Sequence, residues 1–276
     1  MKIRSLSCLY FSPTGTSKKI MDAVVQGMQA EDVKMADCTH AALRKNVPSS
    51  FEADAVVLAA PVYYGRLPES IVPVFTRLKG DGKPGILLVI YGNREYDDAL
   101  LELYDISRDR GFVPVAAGAF IAEHSYSLPE RPMALGRPDA ADIEKAVTFG
   151  KQIREKLEQT ASPEACGPLN IPGSRPYKQP ENLSKIKKAR ETTAFTPETD
   201  TERCTQCGIC AEVCPEAAID SCDVTDIDRW KCILCFACVK SCPEQAKNMT
   251  DQNFNAAVGQ LAEAIQSRKE PALFLT

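Results

Sequence analysis

Nine of the chain's twelve cysteines fall between Cys204 and Cys242, eight of them in two runs. Cys204, Cys207, Cys210 and Cys214 precede Pro215, and Cys232, Cys235, Cys238 and Cys242 precede Pro243. Each run reads C-x2-C-x2-C-x3-C-P, a spacing in which three close thiolates wrap three corners of an iron–sulfur cube and the fourth serves the other cube. The pattern assigns Cys204, Cys207, Cys210 and Cys242 to one [4Fe-4S] cluster, and Cys232, Cys235, Cys238 and Cys214 to a second. Structural zinc is the competing reading. Zinc sites usually oppose one C-x2-C pair to another, and three-step runs closing in C-P are not their pattern. Cys222 lies outside both runs and reads as a free thiol, and Trp230, two residues before Cys232, as packing beside a cluster. A secreted disulfide scaffold would be shorter and would not space thiols this way, so the chain is expected in a reducing compartment, the cytoplasm.

A different chemistry is suggested at the other end, in "FSPTGTSKKI" from Phe11 to Ile20. Ser12, Thr14, Thr16 and Ser17 offer hydroxyls, and Gly15 permits close backbone approach. Such a loop, leaving a strand and opening a helix, is an anion site, because free backbone N–H groups and the helix dipole converge there. It lacks the spacing of the Walker A loop and of the G-x-G-x-x-G dinucleotide fingerprint. Lys18 and Lys19 are expected to face solvent.

The elements that must hold these residues alternate. Apolar runs at Ile3–Phe11, Val33–Cys38, Ala55–Ala60, Ile86–Tyr91 and Val113–Ala122 read as strands covered on both faces. Between and after them, Ile20, Val24 and Met28 recur at helical spacing, as do Ile143, Val147, Gly150, Ile153 and Leu157 behind a capping Asp139. This alternation predicts a doubly wound parallel sheet over residues 1–158. Residues 159–198 read as a polar, Pro- and Gly-rich connector with a short basic helix near Leu183–Arg190. The cysteine module takes 199–250, and residues 251–276 a helix (Asn253 to Arg268) and an apolar tail whose Leu273, Phe274 and Leu275 should pack back onto a domain. With 276 residues, two domains are expected. A net charge of −4 and a pI near 5.4 argue against nucleic acid as the main partner. No apolar run approaches the length of a bilayer span.

"SPTGTS" resembles the phosphate loop of flavodoxins, which hold FMN by hydroxyls and backbone amides. Two further segments strengthen the resemblance: "APVYYGRLP" after the third strand and "YGNREYDDAL" after the fourth. Both lie at strand C-terminal ends, where open α/β sheets bind ligands. The resemblance implies an FMN site drawn from Ser12, Thr14, Gly15, Thr16, Ser17, Pro61, Val62, Tyr63, Tyr64, Gly65, Arg66, Tyr91, Gly92, Asn93, Arg94, Tyr96 and Asp97. Tyr63 and Tyr64 would stack on the isoalloxazine ring, and Gly65, Gly92 and Asn93 would serve the flavin's polar edge. With its cysteine runs, the whole chain resembles the flavodoxin–ferredoxin fusion proteins of the EFR-type ferredoxin family. That implies a flavodoxin-like five-stranded parallel sheet of the short-chain kind, followed by a small α+β 2[4Fe-4S] ferredoxin-like domain.

Two functions follow from the resemblance. One is an electron-transfer protein joining two [4Fe-4S] clusters to FMN and serving redox partner proteins, such as a ferredoxin-type donor or an oxidoreductase acceptor. The other is an FMN-dependent reductase of a small-molecule acceptor, fed by its own ferredoxin domain. For that reading His124 and Tyr126, in "AEHSYS", are candidate proton donors and Arg66 a candidate for orienting an anionic acceptor; the plainer role for His124 is packing or cofactor binding. The oligomeric state is not legible.

Overall fold

The computed structural model describes residues 1–178 and 196–275. The basic segment read as a helix near Leu183–Arg190 lies outside them. Five parallel strands appear at or near their expected positions: β1 (Ser5–Tyr10), β2 (Asp32–Asp37), β3 (Ala55–Pro61), β4 (Pro84–Tyr91) and β5 (Val113–Ile121). Their order, β2-β1-β3-β4-β5, is the flavodoxin-like doubly wound arrangement, with its switch point between β1 and β3. Residues of β1, β3, β4 and β5 are almost wholly buried, as continuous apolar runs require. β2 is an edge strand, and Asp32 to Met35 are exposed.

Helices α1 (Thr16–Met28) and α5 (Ala140–Glu158) cover one face of the sheet; Ile20, Met21, Val24, Phe149 and Ile153 fill the core beneath them. The short α3 (Val72–Phe75) and α4 (Ala99–Asp109) cover the other, over Leu58, Leu87 and Val89, while a single turn, α2 (Ala41–Arg44), follows β2. Asp139 caps α5 as expected, accepting from Asp142 N at 3.0 Å in a reciprocal capping box.

The sheet has a sixth strand that the five-strand reading did not include. β8 (Ala272–Phe274) pairs antiparallel with β5, setting Phe274 against Ala117 and Ala272 against Ala119. Phe274 and Leu275 therefore pack back, with a sheet edge as the docking surface, whereas Leu273 stays exposed despite its expected burial, because alternate residues of an edge strand face opposite sides. The connector also differs from the polar spacer expected. Its described part packs on the domain: Leu169 and Ile171 are buried in the core on the α4 side, Asp98 accepts from Ser174 N, and Asp105 takes both Arg175 and the Tyr177 hydroxyl.

The cysteine module is built from two copies of one fold. The copies contain α6 (Ile209–Glu212) and α7 (Ala237–Ser241), and each is closed by a strand pair. One pair is β6 (Glu198–Thr199) with β7 (Lys247–Asn248), and the other is the Ile219–Ile227 bridge. Left-handed backbone recurs at Gln206 and Leu234, at Gly208 and Phe236, and at Ala217 and Gln245, in each case 28 residues apart, as Cys204 is from Cys232. α8 (Gln252–Ala264) starts at Asp251, whose carboxylate accepts from Phe254 N at 2.7 Å. It ends four residues before the expected Arg268, because the segment that follows is held by the sheet domain.

Candidate functional site

Three loops at the C-terminal ends of β1, β3 and β4 converge with the loop after β5 on a cleft of about 620 Å³. The first loop runs into α1 through Gly15, which sits at φ 79 and offers no side-chain cap, so the helix terminus is left to serve an anion. Ser12, Thr14, Thr16 and Ser17 line the cleft there. The Ser12 hydroxyl accepts from Lys18 N at 3.1 Å, which fixes the loop and leaves its own proton to donate. Hydroxyl donors and an open helix terminus suit a phosphate, so the donor set fits FMN at this end. Lys18 pairs with Asp22 and Lys19 donates to the Pro138 carbonyl; neither lines the cleft.

The second loop is a two-residue turn. Tyr63 N donates to Arg66 O at 2.9 Å and Arg66 N to Tyr63 O at 3.0 Å, with Tyr64 and Gly65 at φ 53 and 76 between them. A Cβ at Gly65 would stand 2.3 Å from Asp97 Oδ2, so only glycine fits. The turn sets Tyr63 and Tyr64 on the cleft wall with Pro61, Val62 and Gly65. Tyr91, Gly92 and Arg94 of the third loop line it as well. Gly92 lies so close to the next loop that a Cβ would meet His124 Cδ2 at 2.4 Å.

Four of the residues assigned to the flavin serve other partners. Arg66 forms a bidentate pair with Glu102, at 2.8 and 2.7 Å, beneath the Tyr177 ring 4.4 Å away, so its guanidinium is not offered to the cleft. Asn93 is buried, and its amide donates to Ile265 O and Ser267 O. Asp97 pairs with Arg94 and buttresses Gly65, and Tyr96 packs on Tyr91 at 5.6 Å.

His124 and Tyr126 do line the cleft. Tyr126 N donates to His124 Nδ1 at 3.1 Å. Burial, with Lys240 and Arg94 nearby, pushes the imidazole down to about 4, so it is neutral at pH 7. Burial first, and Tyr64 next, hold the Tyr126 phenol well above its ordinary value. The Tyr126 ring lies 4.6 Å from Phe236 and 5.0 Å from Phe254, so it joins the sheet domain to the cysteine module and α8.

The cleft is roofed from across the chain by Ile233 and Leu234 of the second cysteine run and by Phe254, Ala257, Val258 and Leu261 of α8. Sequence reasoning missed this roof. The spacing of Phe254, Val258 and Leu261 does mark an apolar helix face, but not what that face covers. Further contacts fix the module in place: Ala41 N donates to Pro215 O at 2.8 Å, Arg44 pairs with Glu216, and Lys240 with Glu123. Arg137, itself buried against Asp142, donates to Lys269 O at 3.1 Å.

Within the module, the cysteines gather around two small cavities. Cys204, Cys207, Cys210 and Cys242 line one, and Cys214, Cys232, Cys235 and Cys238 line the other. In each set the cysteine from the opposite run accepts a backbone hydrogen bond at its sulfur: Ala218 N to Cys214 Sγ and Ala246 N to Cys242 Sγ, both at 3.2 Å. Four thiols around one space are the donor set of a cube. Ile233 and Leu234 line both the second cavity and the cleft. Cys207 is exposed whereas Cys235 is buried, and Cys222 is an exposed free thiol. Trp230 is 63% exposed with Arg229 4.8 Å over its ring, contrary to its expected packing beside a cluster: its backbone is turned outward by the Asp228 cap at Trp230 N.

The flavodoxin domain family matches residues 8–77, which carry the first two cleft loops, and the 4Fe-4S binding domain family matches residues 197–220, which carry the first cysteine run. No curated protein matches the chain. Among solved structures, a flavodoxin from the domain Archaea is 17% identical, covering 56% of this chain and 99% of its own, at a TM-score of 0.40. Rubredoxin oxygen:oxidoreductase from the anaerobe Desulfovibrio gigas is 16% identical over 57% of this chain and 37% of its own, at 0.42. A Streptococcus pneumonia TIGR4 flavodoxin is 20% identical over 55% and 99%, at 0.38. The chain thus joins a flavodoxin domain to a 4Fe-4S domain. Among the described residues, no helix is long and apolar enough to cross a membrane.

Proposed function

We propose that this chain is an electron-transfer protein that holds FMN in a domain spanning residues 1–158 and two [4Fe-4S] clusters in a module spanning 199–250, and relays electrons between them and redox partner proteins. When bound, the clusters supply one-electron steps and FMN one- or two-electron steps, so one chain joins the two kinds of traffic. Ser12, Thr14, Thr16 and Ser17 would hold the phosphate, and Tyr63, Tyr64 and Tyr91 would flank the ring. Cys204, Cys207, Cys210 and Cys242 would ligate one cluster, and Cys214, Cys232, Cys235 and Cys238 the other.

One observation carries the reading: Ile233 and Leu234 form both the roof of the cleft and a wall of the second cysteine cavity. On this reading those two residues would stand between the inner cluster and the flavin, and the exposed Cys207 would open the outer cluster to a ferredoxin-type donor or an oxidoreductase acceptor. The reductase reading has less behind it. Arg66 is committed to Glu102, and apolar side chains of α8 occupy one wall of the cleft. Anaerobic mixing with a reduced low-potential ferredoxin, followed at flavin wavelengths, tests the relay. Flavin reduction should slow at least tenfold in a Cys235→Ser variant that retains FMN; an unchanged rate in that variant overturns it.

A further inference from the structure

Lys247 is among the largest fully buried side chains, yet it carries an ammonium. It lines the cavity of Cys204, Cys207, Cys210 and Cys242. Its Nζ donates to Thr199 Oγ1 and to Val224 O, both at 2.5 Å. Both acceptors are uncharged, so the hydrogen bonds hold the cation in place without neutralising it. A buried charge of this kind is costly to keep and needs a nearby compensating charge.

The internal duplication shows what is different about this position. Shifted by one repeat of 28 residues, Lys247 maps back to Ile219 and Thr199 forward to Ile227, so the polar β6–β7 pair in one half is the apolar Ile219–Ile227 bridge in the other. Other features match across the halves. The sulfur-directed amides of Ala218 and Ala246 have equal length. Glu216 and Glu244 line their respective cavities at equivalent places, Glu216 neutralised by Arg44 and Glu244 exposed to solvent. The buried ammonium is what one half has and the other lacks.

Resting on the two-cluster reading above, we infer that Lys247 sets the outer cluster's reduction potential above that of the inner cluster, so that the outer cluster is the first to take an electron. Cluster potential depends on nearby charge and burial. Reduction adds one electron to an already anionic cube, and a fixed cation beside it favours the reduced form. In a partly desolvated site that attraction is well above its value in water. The greater exposure at Cys207 acts on the same cluster, so the test must change the charge alone.

Redox titration followed by electron paramagnetic resonance on the anaerobically reconstituted full chain reads both potentials. Wild type should show two separated couples. Lys247→Met should lower the higher one by at least tenfold in its reduction equilibrium, about 59 mV for a one-electron couple, and move the lower one by clearly less, because the ammonium also faces Cys238 of the inner set. Lys247→Arg should preserve the separation, and Ile219→Lys, which serves if Lys247→Met fails to fold, should raise the lower couple. Equal movement of both couples in Lys247→Met, or movement of neither, overturns the inference. Iron and sulfide are counted in the same wild-type samples. Clearly fewer than about eight irons per chain overturns the two-cluster reading and this inference with it; eight irons with couples indifferent to Lys247 overturns the inference alone.

Discussion

Asn93 and Ile265 stand 172 positions apart in the chain, and the Asn93 amide donates to the Ile265 carbonyl at 2.7 Å. The same side chain donates to Ser267 O and accepts from Lys269 N. It therefore straps the segment between α8 and β8 to the loop after β4. Removing it would leave the buried Ile265 carbonyl unpaired, at about 1–3 kcal/mol. Alanine would also sit at φ 63, at a further cost of about 1–2 kcal/mol. Asn93→Ala is expected to speed amide hydrogen exchange from Ile265 to Phe274 while both cofactors stay bound. Exchange as slow as in the parent protein would mean that other contacts hold the strap.

The phosphate loop predicts a selective defect. A hydrogen bond to a charged phosphate is worth about 1.5–3 kcal/mol, so Thr14→Ala should weaken FMN by roughly 10- to 100-fold, at about 1.4 kcal/mol per tenfold. Riboflavin, lacking the phosphate, should bind nearly as before. Equal losses for the two ligands, measured by fluorescence quenching, would place the phosphate elsewhere.

Crossed ligation makes a prediction opposite to the order of the sequence. Cys242 belongs to the second run but lines the cavity of Cys204, Cys207 and Cys210. Cys242→Ala should remove the outer cluster and leave about four irons per chain, from one [4Fe-4S] cube, with one surviving paramagnetic signal. That signal should keep the potential of the inner cluster; if it keeps that of the outer cluster instead, each run ligates its own cube.

The depressed His124 couples acidity to stability. Its folded value of about 4 lies below the ordinary 6.5, so between those values the unfolded chain binds a proton that the folded chain refuses. Stability from this group is present above about pH 6.5 and is lost as the pH falls toward 4, by up to about 3 kcal/mol. His124→Gln should flatten the fall in melting temperature between pH 7 and pH 4.5. Parallel curves for the two proteins would show that the imidazole is not buried in its neutral form.

Much of this architecture was legible because it is local. A cysteine spacing states how many corners of a cube one turn of chain can reach, and the two cavities collect the sets that the spacing paired. Five apolar runs and the Asp139 cap read correctly for the same reason: period and capping depend on near neighbours. What escaped was long-range. Ala272 to Phe274 are too few to announce a strand, and their pairing depends on an open edge at β5. Asn93 and Arg66 sit where a flavin contact would be, but a polar residue after a strand reads the same whether it meets a ligand or, as here, Ile265 or Glu102. Leu169 and Ile171 were hidden among prolines and glycines, which break periodicity without preventing burial.

β8 changes what kind of joint connects the two halves of the molecule. Because the chain leaves the sheet at β5 and returns to it at β8, everything between, the iron–sulfur module included, is a loop of one sheet rooted at both ends. A module on a single tether swings, and its local concentration at the cleft follows from tether length. With two roots, release of one leaves the module held by the other, so rebinding is intramolecular and the open form stays scarce. The roof over the cleft is therefore a built-in wall of that cleft, not a partner that docks there.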